Sequence, residues 1–410
     1  MCIRLIKILF ICWLFAPLQQ AHALTTLNTT LASGYHRDSL KQEHLSLFYN
    51  MKYSYTSHSG IETYLDFGIN NDFVQEEWGA YPYLLYLTLP LDKGQESAAF
   101  RKSRVQIGRQ IFLEGFAFET LDGVVLQSYL RPDSGIIVYA GSLHVPEETT
   151  KSSFKEQIYG SNLFFNKKMI SLKVGPAYKT NANTETYLFN SNALILANDF
   201  WSHPMLSYKQ EWNFKDKSVG QELAEVRAAP IENISMGLQY SSRRPDPNFS
   251  RKRRLIYNLF AVGYERSRAL TLDWDMPTHQ HMGARTERIE YESVAGKENG
   301  ESHELNYSFD LGSASISPSV RYLSSFGGEM WDYHCRFSYG VNQVTHMSLE
   351  AEMSKLDKLN SITGYAYNAR AGLDLEFLSR WKAQALLEIE RNHLFKVDSR
   401  LVIYASHFYY

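Results

Sequence analysis

The sequence predicts an all-β protein, a transmembrane antiparallel up-and-down β-barrel of about 18 to 22 strands. The first observation is a period-two alternation of apolar and polar residues from Ser361 to Tyr410, as expected for strands with one oily and one wet face. The second is that aromatic residues occupy both ends of the oily face. The third is that on the order of twenty segments of about 9 to 12 residues alternate in this way, the length at which a tilted strand crosses a bilayer.

Two neighbouring segments near the C-terminus show the division of faces most clearly. From Tyr365 to Phe377 every second residue is apolar or small, and polar residues such as Asp374 stand between them. After a predicted turn at Leu378 to Arg380, the alternation resumes at Trp381. Aromatic residues lie at the ends and alanine and leucine between them, which is typical of a lipid-facing band bounded by aromatic girdles.

The N-terminal segment, Met1 to Ala23, predicts a cleavable secretory signal. Arg4 and Lys7 precede an apolar run from Ile8 to Leu18, and Ala21-His22-Ala23 provides a small-residue cleavage site. The apolar run is too short for a spanning helix. We therefore expect a signal peptide at 1–23 and a single barrel domain at 24–410.

Composition supports a barrel and does not support a nucleic-acid-binding protein. Aromatic residues make up 14% of the chain, with 27 Tyr, and charged residues 21%, while the mean hydropathy is below zero. A barrel in lipid has this profile because only alternate residues face hydrocarbon. Without the leader, 40 basic residues stand against 44 acidic ones, so nothing favours nucleic acid as a partner. Cys335 is then the one remaining cysteine, so no intramolecular disulfide is expected.

The chain ends within a predicted strand. Val402, Tyr404, Phe408 and Tyr410 alternate up to the last residue, and this ending resembles the C-terminal signal that bacterial outer-membrane barrels present to the barrel-assembly machinery. Ser406 and a terminal Tyr in place of Phe depart from the usual form. The resemblance implies a protein of the Gram-negative outer membrane, in contact with its lipid and lipopolysaccharide.

Placing Tyr410 in the periplasm and counting strands backwards gives a consistent order. The Gly312-Ser313 turn falls on the periplasmic side and Asn392 to Val397 outside. Because both termini are then periplasmic, an even strand number is expected.

The densest basic run is a candidate anion site or a solvated loop. As an anion site it would bind lipopolysaccharide phosphate or an anionic solute. The strand count places it on the periplasmic side, unless the count between Gln221 and Ala228 is wrong. Its residues are Arg243, Arg244, Arg251, Lys252, Arg253 and Arg254.

A stretch of about forty residues carries a second resemblance. Its pieces are Arg104 to Gln110 (RVQIGRQ), Leu121 to Val124 (LDGV) and Gly135 to Gly141 (GIIVYAG). They resemble the "GRQ … DG" segment of alginate-export-type outer-membrane porins. The resemblance implies a large monomeric barrel with a pore. The pores of that family are basic, whereas the C-terminal half of this chain is acidic.

Within this stretch, Arg109 and Asp122 form a candidate ion pair. Arg109 has the parity of Val105 and Ile107, which aims it at lipid. A bulge at Gly108 would turn it inward to meet Asp122. Alternatively, the strand ends at Gly108 and Arg109 lies at headgroup level or in a turn.

The best-phased strands indicate which residues line the interior, and acids dominate among them. Because rings of carboxylates favour cations, we predict a porin-like channel for passive diffusion of small polar or charged solutes, with a modest cation preference and without a cofactor, metal or catalytic site. The candidate lining residues are Glu304, Asp310, Arg321, Asp332, Arg336, Glu350, Glu352, Arg370, Asp374, Glu376, Lys382, Glu388 and Glu390.

The alternative is a barrel with enzymatic work, such as a surface hydrolase, or with a structural or assembly role. Asp273 and Asp275 share a strand face and are followed by His279 and His281, a combination that barrel proteases and metal sites use. Inward acids recur in nearly every strand, however, and the histidines follow Pro277 in a loop. The sequence therefore favours a channel over an enzyme.

Overall fold

The computed structural model describes residues 24–37, 43–74, 77–91, 103–114, 119–144, 156–181, 184–197, 203–244, 264–293, 296–325, 328–359, 362–377, 380–391 and 398–409. Residues 1–23 lie outside these ranges, and the signal peptide stays a prediction. In the described ranges, no helix has the length and apolar character of a membrane span.

Twenty-two strands make up the secondary structure of the described residues. They are β1 Leu24–Arg37, β2 Glu43–Thr56, β3 Glu62–Asp72, β4 Glu77–Pro90, β5 Arg104–Phe112, β6 Glu119–Arg131, β7 Ser134–His144, β8 Gln157–Lys167, β9 Ile170–Asn181, β10 Thr184–Leu196, β11 Met205–Asn213, β12 Ser218–Ile231, β13 Ile234–Arg243, β14 Glu265–Met276, β15 Gln280–Ser293, β16 Gly296–Leu311, β17 Ala314–Ser325, β18 Gly328–Asn342, β19 Thr345–Leu359, β20 Ile362–Phe377, β21 Trp381–Arg391 and β22 Asp398–Tyr409.

The strands form one closed barrel. Each strand pairs antiparallel with the next in the chain, and β22 closes the sheet against β1 from Leu27↔Tyr409 to His36↔Arg400. Closure leaves no free strand edge. The predicted antiparallel up-and-down barrel is confirmed, and its 22 strands stand at the upper limit of the predicted number.

The two faces of the wall differ in chemistry. Leu305, Trp331 and Leu387 belong to one face, and each keeps at least 40% of its side chain exposed. The alternate residues are mostly polar, more buried and joined by ion pairs. Because the wall is curved, side chains crowd together on its concave face and spread apart on its convex face. The polar face is therefore the inner one, and the apolar face is the outer one that suits lipid.

β1 and β22 place both ends of the described chain at the same end of the barrel, where most of the connections between strands are short. β1 begins and β22 ends there, and the Gly312-Ser313 turn joins β16 to β17 at this end, with Gly312 at φ +71°. This left-handed conformation costs glycine little. We call this end the terminal end and the opposite one the distal end.

The basic run begins at the distal end, so its predicted position beside the termini is wrong. Arg243 closes β13 there and binds Glu265 of β14, with 2.8 Å between Arg243 Nη2 and Glu265 Oε2. The error arose at β12, which is one continuous strand from Ser218 to Ile231 with no turn between Gln221 and Ala228. Residues 245–263, including Arg251, Lys252, Arg253 and Arg254, lie outside the described ranges.

The faces of β22 follow from its register with β21 rather than from the sequence pattern. Leu401 and Ile403 are 44% and 53% exposed on the outer face, whereas Tyr404 pairs with Gln384 on the inner face. Both sets of alternate residues are apolar, so the pattern alone fits either choice, and the register with β21 decides it. The residues that resemble the C-terminal signal, Val402, Tyr404 and Phe408, are therefore inner residues, and Tyr410 lies outside the described ranges.

Cys335 provides a direct test of the two faces. It is exposed and has the parity of Trp331 and Tyr333 on the outer face. Because a thiol in hydrocarbon stays protonated and reacts poorly, we expect a water-soluble maleimide to leave Cys335 unlabelled in intact membranes. The matched control is His334→Cys in a Cys335→Ser background, which places the thiol on the inner face and should be labelled. Labelling of Cys335 but not of the control would reverse our assignment.

Candidate pore lining

Five charged residues of alternating sign cross the inner face from β18 to β22. Arg336, Glu350, Arg370, Glu388 and Arg400 are successive register partners. Opposed residues in antiparallel strands have Cβ atoms about 4.5 to 5.5 Å apart. Strand pairing alone therefore sets each charge beside charges of the opposite sign. We call these five residues the charged row.

The contacts of the charged row converge on Glu388. Arg370 donates to Glu388 Oε1 from Nε at 2.9 Å, its Nη2 lies 2.8 Å from the same oxygen, and Arg400 Nη1 lies 3.8 Å from Oε2. Glu350 Oε1 lies 3.6 Å from Arg370 Nη1 and 3.2 Å from His334 Nε2. Glu388 is only 9% exposed, so its carboxylate depends on the two arginines for compensation.

A second row of alternating sign crosses β15 to β18. Arg285, Glu304, Arg321 and Asp332 are successive register partners on the inner face. Arg285 Nη2 also reaches Glu287 Oε2 at 3.2 Å, and Asp332 Oδ1 accepts a hydrogen bond from Ser354 Oγ at 2.8 Å. The inner face from β15 to β22 therefore carries both signs of charge at close spacing.

Two further acids of the predicted lining have basic neighbours. Glu376 Oε1 lies 3.6 Å from Lys382 Nζ, its register partner on β21. Glu390 Oε2 lies 3.9 Å from Arg400 Nη2. These distances indicate weak, solvated ion pairs, each of which contributes about 1 kcal/mol or less to the free energy of unfolding.

In the described part of the chain, three predicted acids have neither an arginine or lysine as a register partner nor one within ion-pair distance. They are Asp310, Glu352 and Asp374. Glu352 opposes His334 on β18 and Asn368 on β20. Oδ1 of Asp374 is buried without a hydrogen-bond partner among the described residues. The acid excess expected from sequence is thus concentrated on these three side chains.

Across the barrel, Glu114 lies against the inner face of β8 and β9. Its Oε2 accepts a hydrogen bond from Asn162 Nδ2 at 2.6 Å, and its Oε1 one from Lys173 Nζ at 2.9 Å. A cavity of about 10 Å³ beside it is also lined by Asn190 and Lys209, and this is room for about one water. The chain therefore turns inward after β5, although residues 115–118 lie outside the described ranges.

A packed apolar cluster occupies the inner face of β5 to β10. Phe112, Leu121, Tyr139 and Ile158 are all at most 1% exposed, and the rings of Phe112 and Tyr139 meet edge to face at 5.0 Å. One side of the interior is thus filled by side chains. The polar lining lies mainly on the other side, along β14 to β22.

Three glycines in register allow β5, β6 and β7 to come close together beside this cluster. Gly108, Gly123 and Gly141 oppose one another. A Cβ at Gly123 would stand 2.1 Å from the carbonyl oxygen of Ala140, and Gly108 has φ +121°, where side chains are strained. Glycine rows of this kind bend a sheet sharply.

The Arg109 and Asp122 side chains form a bidentate ion pair on the outer face. Nε and Nη2 of Arg109 donate to Oδ1 and Oδ2 of Asp122, both at 2.6 Å. β5 continues to Phe112 in unbroken register with β6, so the expected bulge at Gly108 and the expected strand end are both wrong. Arg109 consequently shares the outer face with Ile107 and Ile111, whose exposed fractions are 44% and 43%.

The Asp273 and Asp275 cluster lies on the inner face at the terminal end. His281 Nδ1 is 2.7 Å from Asp275 Oδ1, and its Nε2 is 3.8 Å from Asp273 Oδ1. The Ser235 hydroxyl points to Asp273 Oδ2 at 3.5 Å rather than to the imidazole. His279 stands in the turn at φ +57°. No group of three or more His, Cys, Asp or Glu in the described ranges has metal-site geometry.

Three residues of the inner face, Arg400, Arg285 and Glu114, were not predicted from the sequence. Arg400 was missed because both alternate sets of β22 contain apolar residues, and Arg285 because β15 alternates less regularly. Glu114 follows a strand end, where alternation carries no information. The sequence signal that could have placed Arg400 on the inner face is the alternation of Leu401 and Ile403 beside it, and both of these residues are exposed on the outer face.

Solved structures share this fold at low sequence identity. The P pilus usher (PapC) translocation pore aligns with 94% of this chain and 99% of its own length at a TM-score of 0.51 and 10% identity. Pseudomonas aeruginosa OpdQ aligns with 95% of this chain and 99% of its own length, at a TM-score of 0.50 and 10% identity. Pseudomonas aeruginosa OccK2 (OpdF), solved in complex with glucuronate, aligns with 95% of this chain and 97% of its own length, at a TM-score of 0.49 and 10% identity.

No family profile and no curated protein sequence matches the chain. The resemblance to alginate-export-type porins therefore stays a prediction. At 10% identity the solved structures establish the fold alone: the chain shares the barrel fold of the PapC translocation pore and of OpdQ.

Proposed function

We propose that the protein is an outer-membrane pore through which small polar or charged solutes diffuse passively, with a modest preference for cations. The observation that carries the proposal is the inner face of β14 to β22, which presents charged side chains of both signs to the interior. Such a wall favours water and ions, while the apolar outer face favours lipid. The fold shared with the PapC translocation pore supports a pore in general and says nothing about its ion preference.

The proposed cation preference rests on the acids without a basic partner. Glu350 and Glu388 are compensated by Arg370 and add little net field. Glu352 and Asp374 are not compensated in this way, so their charges act on passing ions. The preference should weaken as salt screens these charges, since the Debye length is about 10 Å at 0.1 M.

We further propose that both termini face the periplasm, so that the distal end faces outward. Outer-membrane barrels have short turns on the periplasmic side and longer loops outside. Between the described strands, seven of the ten connections at the terminal end have two or three residues, against four of the eleven at the distal end, and the longest connection, 244–264, is at the distal end.

Planar-bilayer recordings test the pore directly. We expect stepwise openings and a reversal potential that indicates more permeant cations than anions. Changing Glu352→Gln together with Asp374→Asn should move the permeability ratio towards one. The matched control, Glu329→Gln with Asp357→Asn, removes the same charge from the outer face and should leave the ratio unchanged.

Two outcomes would contradict the proposal. A correctly folded barrel that is electrically silent would point to a structural or assembly role. Anion preference in the unmodified protein would refute the role given to Glu352 and Asp374.

A further inference from the structure

The apolar band on the outer face of β13 to β16 ends at a common level towards the distal end. On β14, exposed Leu270 is followed in that direction by Arg268 and Arg266, and on β16 exposed Leu305 is followed by His303 and Glu301. Lipid hydrocarbon gives way to headgroups at such a border. The side chains just beyond it are therefore at the depth of lipid phosphates.

Two arginines face each other just beyond this border. Arg268 of β14 and Arg288 of β15 are direct register partners, and both are exposed on the outer face. Neither has an ion pair, hydrogen bond or ring contact in the described ranges, whereas neighbouring Arg266 lies 4.8 Å over the ring of Tyr264. Like charges directly opposed across a sheet are destabilising. An anion held between the two guanidinium groups would relieve this repulsion and accept their donors.

A groove adjoins the arginine pair. It has a volume of about 300 Å³ and includes Arg288, Thr286, Asn299, Glu301 and His303 in its lining. Thr286 Oγ1 and His303 Nδ1 lie 2.9 Å apart, and His303 Nε2 lies 3.7 Å from Glu301 Oε2. Hydroxyl, amide, imidazole and carboxylate groups of this kind suit the hydroxyls of a sugar ring.

The acids nearby limit which lipids fit. Glu301 opposes Arg288, and Glu290 opposes Arg266. The surface is therefore not a uniformly basic patch that would attract any anionic membrane. It offers one concentrated site for a phosphate beside a mixed polar groove for an uncharged, hydroxyl-rich group.

We propose that Arg268, Arg288 and the adjoining groove bind the phosphorylated sugar headgroup of a glycolipid in the outer leaflet. The phosphate lies between the guanidinium groups and the sugar occupies the groove. The inference rests on the orientation proposed above, in which the distal end faces outward. It does not require an open pore, because the site is on the outer face.

Native mass spectrometry of the full barrel in detergent, mixed with diphosphoryl lipid A, tests the site. We expect the unmodified protein to retain lipid A and the variant Arg268→Gln with Arg288→Gln to retain at least tenfold less, because each charge-assisted hydrogen bond that is lost weakens binding by about tenfold or more. The charge-matched control, Arg321→Gln with Arg336→Gln, changes the inner face and should retain lipid A like the unmodified protein. Arg268→Lys with Arg288→Lys keeps the charge without the forked donors and should fall between the two.

Other outcomes would overturn the inference. An equal loss in the outer and inner double variants would indicate a general charge effect. Equal displacement of lipid A by phosphatidylglycerol or by inorganic phosphate would show that the sugar is not recognised. Because single-channel conductance of the outer double variant should be unchanged, failure of the lipid site and failure of the proposed pore can be distinguished.

Discussion

Replacing Arg370 by Gln is expected to destabilise the barrel by about 2 to 3 kcal/mol. Breaking a buried ion pair by removing one partner costs about 3 to 5 kcal/mol. The effect here is smaller because the Arg370 side chain is 42% exposed. The substitution leaves Glu388, at 9% exposure, with the amide of Asn368 at 3.3 Å and the more distant cation of Arg400 at 3.8 Å.

Denaturant unfolding of the barrel in lipid vesicles measures this effect as a shift in midpoint. The double variant Arg370→Gln with Glu388→Gln is the control, because it removes both partners and should recover part of the loss. A single variant within about 0.5 kcal/mol of the unmodified protein would show that the charged row adds no stability.

Replacing Gly123 by Val is expected to lower the free energy of unfolding by about 3 kcal/mol or more and to reduce the yield of folded barrel sharply. A Cβ there would stand 2.1 Å from the Ala140 carbonyl oxygen and 2.7 Å from the Cα of Gly141, and both obstacles are backbone. Overpacking commonly costs about 1 to 3 kcal/mol even where side chains can move. Separation of β6 from β7 would also disturb the apolar cluster around Leu121 and Tyr139.

The fraction of barrel that keeps its folded electrophoretic mobility without heating measures the outcome. Gly364→Ala is the matched control, because a Cβ there would have nothing within 4 Å, and it should leave the yield unchanged. Normal yield with Gly123→Val would mean that the close approach of β6 and β7 is not required.

Alternation predicted the fold because a barrel strand has only two environments. Where one alternate set is apolar and the other charged, as from Tyr365 to Phe377, the faces follow directly from the sequence. β22 contains apolar residues in both sets, from Leu401 to Phe408, so its faces depend on pairing with β21. This ambiguity is also why Arg400 was missing from the predicted lining.

The sequence pattern could not predict the charged row, for a related reason. Alternation shows that Arg336, Glu350, Arg370 and Glu388 face inward, but not that they stand at one level. Their alignment depends on four registers, which turn lengths and bulges set together. What the alternation did not reveal is that two acids of the predicted lining, Glu350 and Glu388, are compensated by Arg370.

The alternating order of the charged row also sets the distance over which it acts. Successive charges of opposite sign lie about 4.8 Å apart, the spacing of neighbouring strands. Farther from the wall than roughly this spacing the alternating charges largely cancel, and only the single net positive charge of three arginines against two glutamates is felt at the pore mouth. A solute must touch the row to sense its individual charges, and one that carries both a positive and a negative group can then pair with adjacent members at once.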